Sequence, residues 1–161
     1  MALNVASLPI TVGVGGFVIR DGALLVVRRT YGPSKGLWTI PSGYLEPGES
    51  VAQAVERDVR EETAVAARAE GIVGVRNRVT EAANDTFLVF AMAYESGEPR
   101  PDGREVSEAA FRPVEELSLT EDSAPFTRAI VPKLMRVRGM RLDTYAPPLG
   151  DSGTLVYLLY I

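Results

Sequence analysis

Asp58, Glu61 and Glu62 bring three carboxylates within one helical turn, and no other stretch of this chain points so directly to chemistry. Carboxylates spaced this closely repel one another and weaken the helix that carries them unless a cation lies between them. An all-oxygen ligand set of this kind suits a hard divalent ion, magnesium first. At about 100° per residue, Asp58 and Glu62 lie about 40° apart around the helix axis and Glu61 about 60° beyond Asp58, so their oxygens can converge on one point. Arg57 precedes Glu61 by four residues. At that spacing its guanidinium can hold the carboxylate in place.

The element that must position these side chains carries its own signals. Ser50 followed by Gln53 fits a capping box, which makes Val51 the first helical residue and puts Glu49 at the positive end of the helix dipole. Ala52, Val55, Val59 and Thr63 then form an apolar stripe that can face a core. A glycine-bearing loop, GYLEPGES, leads into the helix from Gly43.

Read as one segment, Gly43 to Val65 (GYLEPGESVAQAVERDVREETAV) resembles the Nudix box, G-x5-E-x7-R-E-U-x-E-E-x-G-U with U aliphatic. Gly43, Glu49, Arg57, Val59, Glu61, Glu62 and Val65 fall on its spaced positions, a far more specific match than a lone glycine fingerprint. The resemblance implies an α/β/α sandwich with a mixed β-sheet between helices. It also implies hydrolysis of a nucleoside diphosphate linked to another group, with Mg2+ or Mn2+ as cofactor. Glu61 and Glu62 would then be the principal metal ligands and Asp58 a further ligand or base. Gly43 would offer its backbone carbonyl, Glu49 and Arg57 would support the network, and metal-bound water would be the nucleophile. ADP-ribose, other nucleotide sugars, dinucleotides and nucleoside triphosphates all remain open as substrates.

Two residues depart from the pattern. Asp58 stands where the box has Glu, which draws that carboxylate back by roughly 1.5 Å. Ala64 stands where it has Gly, and a non-glycine residue in a left-handed helix exit costs on the order of 1 kcal/mol. The helix is therefore expected to run on through Ala64 into Val65 and Ala66. These departures keep a second reading in view, a weakened box that binds nucleotides or regulates a partner without turnover.

Outside the box, Arg28 and Arg29 at the end of a strand are candidates to hold substrate phosphate, or they form a charged strand end facing water. Glu105 follows a polar loop and is either a solvated glutamate or a further contact at the site, since the family often draws a carboxylate from that region. Trp38 reads as core packing, and Arg76 and Arg78 as an exposed strand face. The glycine-rich run Val12 to Gly16 lacks the third glycine of a dinucleotide fingerprint, so it reads as a strand with close backbone packing.

Composition narrows the chemistry. The chain has 161 residues, 46% of them hydrophobic, which suits one domain with a single core. It contains neither cysteine nor histidine. Disulfides, thiolate nucleophiles, zinc–thiolate sites and imidazole triads are excluded, and a cytoplasmic location is expected. Proton transfer must fall to carboxylates, lysine, tyrosine or metal-bound water. A net charge of −4 argues against a protein that coats nucleic acid. No apolar run approaches the roughly 20 residues needed to span a bilayer, and MALNVASLPI does not read as a secretion signal.

Strands are expected over Ile10 to Ile19 and Ala23 to Arg28, joined by an Asp21-Gly22 turn. After the box helix come strands over Gly71 to Val79 and Thr86 to Tyr94, a loop over Ser96 to Arg104, and a short strand over Ala109 to Pro113 leading to a turn at Glu115 and Glu116. A last helix spans Ala124 to Val137, with a kink or break near Val131 imposed by Pro132. The extension from Ala146 to Ile161 ends in the apolar run TLVYLLYI, which adds a strand to the sheet or pairs with a second subunit to form a homodimer.

Overall fold

A computed structural model describes residues 8–143 and 158–161. In chain order the elements are β1 (Ile10–Arg20), β2 (Ala23–Arg29), β3 (Trp38–Thr39), β4 (Ser42–Tyr44), α1 (Val51–Thr63), β5 (Ala66–Val79) and β6 (Asn84–Ser96). They continue with β7 (Val106–Pro113), α2 (Val114–Leu119), α3 (Pro125–Leu134), β8 (Met140–Asp143) and β9 (Leu159–Tyr160). The strands lie in the order β3-β2-β1-β6-β5-β8-β9, with β4 against β1 and β7 against β2. Among the paired strands of the described residues only β1 and β6 run parallel, from Ile10 beside Asn84 to Ile19 beside Ala93, and the other pairs are antiparallel, so the sheet is mixed.

Alternation along the strands sends apolar side chains to both faces. On one face, Val14, Val18, Leu25 and Phe90 pack with Val55 and Val59 of α1. On the other, Phe17, Leu24, Val26 and Val89 pack with Leu117 of α2 and Val131 and Leu134 of α3. The fold is thus an α/β sandwich of the kind the box implied.

The glycines of β1 make this packing possible. A β-carbon on Gly15 would come within 2.6 Å of the Phe87 ring and 2.8 Å of Ile40, and one on Gly13 within 2.9 Å of the same ring. Gly16 faces the opposite way, where a β-carbon would meet Val59 of α1 at 2.5 Å and the Met92 sulfur at 2.9 Å. Close backbone approach is therefore what this glycine-rich strand provides.

Several local expectations are corrected. Helix α1 begins at Val51 under an intact capping box, but it stops at Thr63 rather than running into Ala66. Ala64 takes the left-handed conformation (φ 60°, ψ 6°), and its N–H donates to the Arg60 carbonyl at 2.9 Å. The chain can then enter β5 at once, five residues earlier than expected. The buried side of α1 includes Ala54, Asp58 and Glu62 beside Val55, Val59 and Thr63, whereas Ala52 is only half-buried. Glu115 and Glu116 lie in α2 rather than in a turn. Pro132 does not break α3 at Val131. Being near the C-terminal end it forfeits one backbone bond, and the helix closes at Leu134. Strand β8 was not expected. Leu142 and Asp143 pair with Tyr160 and Leu159, and Tyr160 lays its ring edge-on to Phe90 with centroids 5.7 Å apart. Most of the anticipated C-terminal segment, 146–157, lies outside the described residues.

Candidate active site

The box residues assemble along one side of α1, facing β4 and the ends of β2 and β7. Gly43 pairs with Val14 in the β4–β1 ladder, and the Asp58 carboxylate packs directly onto it. A β-carbon at position 43 would lie 2.7 Å from Asp58 Cγ. Glycine is required there because the carboxylate fills the space of a side chain.

Arg57 ties the loop to the helix. Its Nε and Nη2 donate to Glu49 at 3.0 and 2.7 Å, and Nη2 also donates to the Tyr44 carbonyl at 3.2 Å. Nη1 reaches Asp58 Oδ1 at 2.6 Å and Glu61 more weakly at 3.5 Å. The orienting contact of Arg57 is therefore chiefly to Glu49 and Asp58 rather than to Glu61, whose side chain is 65% exposed. The bonds from Arg57 hold the Glu49 carboxyl below the usual range. Burial pushes Asp58 up to about 6 against the opposing pull of Arg57, and Glu61 and Glu49 push the same way as burial.

Glu62 is held differently. Its carboxylate receives both Nη1 and Nη2 of Arg29, the second at 3.2 Å, and the Ser42 amide donates to Oε2 at 3.0 Å. Arg29 Nη2 also donates to the Ser42 carbonyl and hydroxyl oxygens at 2.9 and 2.8 Å. Burial raises the Glu62 carboxyl to about 7, opposed by Arg29 and the Ser42 amide. Sequence reasoning passed over Ser42, since a serine before a glycine carries no local sign that it will clamp an ion pair.

Two clefts meet at β4. The acidic one, about 330 Å³, is walled by Asp58, Glu61, Glu62, Arg57 and Glu105. The other, about 300 Å³, has Arg29, Phe87, Phe126, Arg76 and Asp85 on its walls, and both share Tyr31, Ser42, Gly43 and Tyr44. Glu105 thus belongs to the acidic wall, where its carboxylate accepts from the Tyr31 hydroxyl at 3.1 Å. Arg28 does not reach the site. It follows Leu24 and Val26 to the other face of β2, where its guanidinium lies 4.6 Å from the Trp38 ring and its Nη1 donates to the Gly36 carbonyl at 2.7 Å. Trp38 is 2% exposed and belongs to the core.

The donor set suits a hard divalent cation. It is all oxygen, and Asp58 Oδ2 is buried with no hydrogen-bond partner, an arrangement that a cation would complete. The convergence expected from helical angles is only partly realised. Among the described residues no three acidic side chains are grouped to enclose an ion, because Arg29 draws Glu62 aside and Glu61 extends into solvent.

A mixed sheet between helices, with an acidic helix opening onto a two-part cleft, places the chain in a definite class of α/β domain. The NUDIX domain model matches residues 9–134, and the chain belongs to that family. Over 64 residues it is 36% identical to ADP-ribose pyrophosphatase of Methanocaldococcus jannaschii, a stretch covering 40% of this chain and 38% of that protein. Over 96 residues it is 29% identical to the NAD-capped RNA hydrolase NudC of Photobacterium profundum, covering 60% of this chain and 35% of that one. The matched stretches span well under half the length of either relative. Among solved structures, the MutT NUDIX hydrolase from Burkholderia pseudomallei is similar with a TM-score of 0.67 and 25% identity, covering 76% of this chain and 96% of that one. Members of this family generally work with divalent metal ions. Among the described residues no helix is long and apolar enough to cross a membrane.

Proposed function

We propose that this chain is a pyrophosphohydrolase that uses Mg2+ or Mn2+ to cleave the anhydride of a nucleoside diphosphate linked to another moiety. The observation that carries this reading is the buried, unpartnered Oδ2 of Asp58, pressed against Gly43 where the acidic cleft meets the second cleft. A bound divalent cation supplies positive charge for the non-bridging phosphate oxygens and makes water a better nucleophile near neutral pH. Asp58 offers Oδ2 to that cation, and Glu61, Glu62 and Glu105 provide further oxygens from the same wall. In the metal-free protein burial raises the Asp58 carboxyl to about 6, so a cation and a proton compete for it below neutral pH. Glu49 and Arg57 fix the direction of Asp58 through Oδ1. The second cleft, with Phe87 and Phe126 in its wall, suits the ring of a nucleoside, and Arg29 in the same wall suits a phosphate.

A second reading, nucleotide binding without turnover, draws support from the engagement of Glu62 by Arg29 and Ser42. Formation of two phosphomonoesters from ADP-ribose, other nucleotide sugars and dinucleotides, or of a nucleotide and phosphate or pyrophosphate from nucleoside triphosphates, each with Mg2+ or Mn2+, decides between them. The expected result is metal-dependent cleavage of at least one diphosphate-linked compound, abolished in Asp58→Asn and strongly reduced in Glu61→Gln. Binding of the same nucleotides with no cleavage under any metal would leave the second reading.

A further inference from the structure

Arg29 links the two clefts through Glu62. Its side chain lines the second cleft, while its guanidinium holds Glu62 on the wall of the acidic one. The pair is buried on both sides, with side chains 8% and 7% exposed. It is two-pronged, and Ser42 completes it by donating its amide to Glu62 and accepting Arg29 Nη2 on both its carbonyl and hydroxyl oxygens. Both Glu62 oxygens are therefore engaged. Asp58 differs, since Arg57 takes only Oδ1 and leaves Oδ2 open.

Separating a buried ion pair is strongly unfavourable when either charge is left without a partner. Glu62 can leave Arg29 only if each gains a new partner in the same event, a cation for the carboxylate and an anion for the guanidinium. The two clefts meet where that exchange would take place. Arg29 lines the second cleft, where an anion would reach it, and Glu62 lines the acidic cleft, where a cation would.

We infer that Arg29 is a positioning residue that stands in for the cation at Glu62 in the free protein and trades Glu62 for a phosphate oxygen when substrate arrives. The inference rests on the metal-dependent reading above. Glu62 then turns to the divalent ion only once an anionic group has taken Arg29. By linkage, phosphate and metal strengthen each other's binding by the same factor. Asp58, whose Oδ2 is open, would hold a cation without Glu62, and Glu62 would add its oxygens only after leaving Arg29.

The test compares Mn2+ binding by calorimetry in the wild type, Arg29→Lys and Ser42→Ala, each without and with saturating AMP. Lysine keeps the charge but loses the two-pronged fork, and Ser42→Ala removes one acceptor that holds the fork in place. If Arg29 sequesters Glu62, Arg29→Lys binds Mn2+ alone about 5- to 100-fold more tightly than the wild type, the ordinary range of coupling between sites. Ser42→Ala shifts the same way by less, which keeps the test decisive if Arg29→Lys does not fold. AMP tightens Mn2+ binding in the wild type and much less in Arg29→Lys. In a parallel Mg2+ titration by NMR, the Ser42 amide, which donates to Glu62, shifts in the wild type only when AMP is present. Equal Mn2+ affinity in all three proteins, with the Ser42 amide unmoved, overturns the exchange and leaves the metal-dependent reading standing. Absence of Mn2+ binding in every protein, with or without AMP, overturns both.

Discussion

The carboxylate of Asp58 occupies the space that a side chain on residue 43 would need. The contact joins the first residue of the box to an acid fifteen positions later, across the gap between β4 and α1. Gly43→Ala leaves the β-carbon no room unless Asp58 moves, because the neighbouring atoms belong to a side chain fixed by Arg57. The expected result is a fall in kcat/KM of about 100-fold, the scale on which an ångström of misplacement acts. Mn2+ affinity should weaken in the same variant while circular dichroism reports an intact fold.

The raised carboxyls of Asp58 and Glu62 give the metal-free protein an unusual pH response. A carboxyl whose folded pKa lies above its unfolded value binds its proton more tightly when folded, so stability falls as pH rises between the two values. For Asp58 that window runs from 3.8 to about 6, and for Glu62 from 4.5 to about 7. Thermal unfolding without metal should therefore show a melting temperature that declines from pH 4 to pH 7. A saturating divalent cation should restore it at pH 7, since it binds the folded protein and neutralises the carboxylates that burial leaves uncompensated. A decline in Asp58→Asn as steep as that of the wild type would remove Asp58 from this account.

Ala64 holds a left-handed conformation that glycine adopts without strain. Ala64→Gly should raise stability by about 1 kcal/mol in urea denaturation. Mn2+ affinity should not change, because residue 64 lies past the end of the helix and outside both clefts.

Tyr160 is half-buried against Phe90, from a strand whose partner is the exposed β8. Tyr160→Ala should cost about 1–3 kcal/mol, less than a fully buried aromatic because the ring keeps one side in solvent. Chemical denaturation measures this directly.

What could be read from the sequence was what depends on neighbours along the chain. The start of α1 at Val51 follows from Ser50 and Gln53, which bond to each other, and the shared flank of Asp58 and Glu62 follows from helical angles alone. The hairpin at Asp21-Gly22 was legible for the same reason. Partners that arrive from far away were not. Nothing near Glu62 announces Arg29, 33 residues earlier, and only the parity of β2 separates Arg29 from Arg28. The second cleft draws on Gly13, Phe87 and Phe126, which no local pattern connects. Strand β8 reads MRLD, four exposed residues, too short a run for its alternation to stand out. Helix α2 has six residues, too few for a period to appear.

The parallel pairing of β1 with β6 has a kinetic consequence. Ile10 lies beside Asn84, and the Thr30 and Tyr31 bonds to Arg104 and Glu105 span the same 74 positions. Long chain closures of this kind must be paid in entropy before their contacts reward them, and they slow folding. A nascent chain that has emerged only as far as Thr63 holds the whole acidic helix yet lacks Phe87 and Glu105. The wall bearing Glu105 and the Phe87 face of the second cleft are therefore acquired only after the acidic helix, when the later strands close over it.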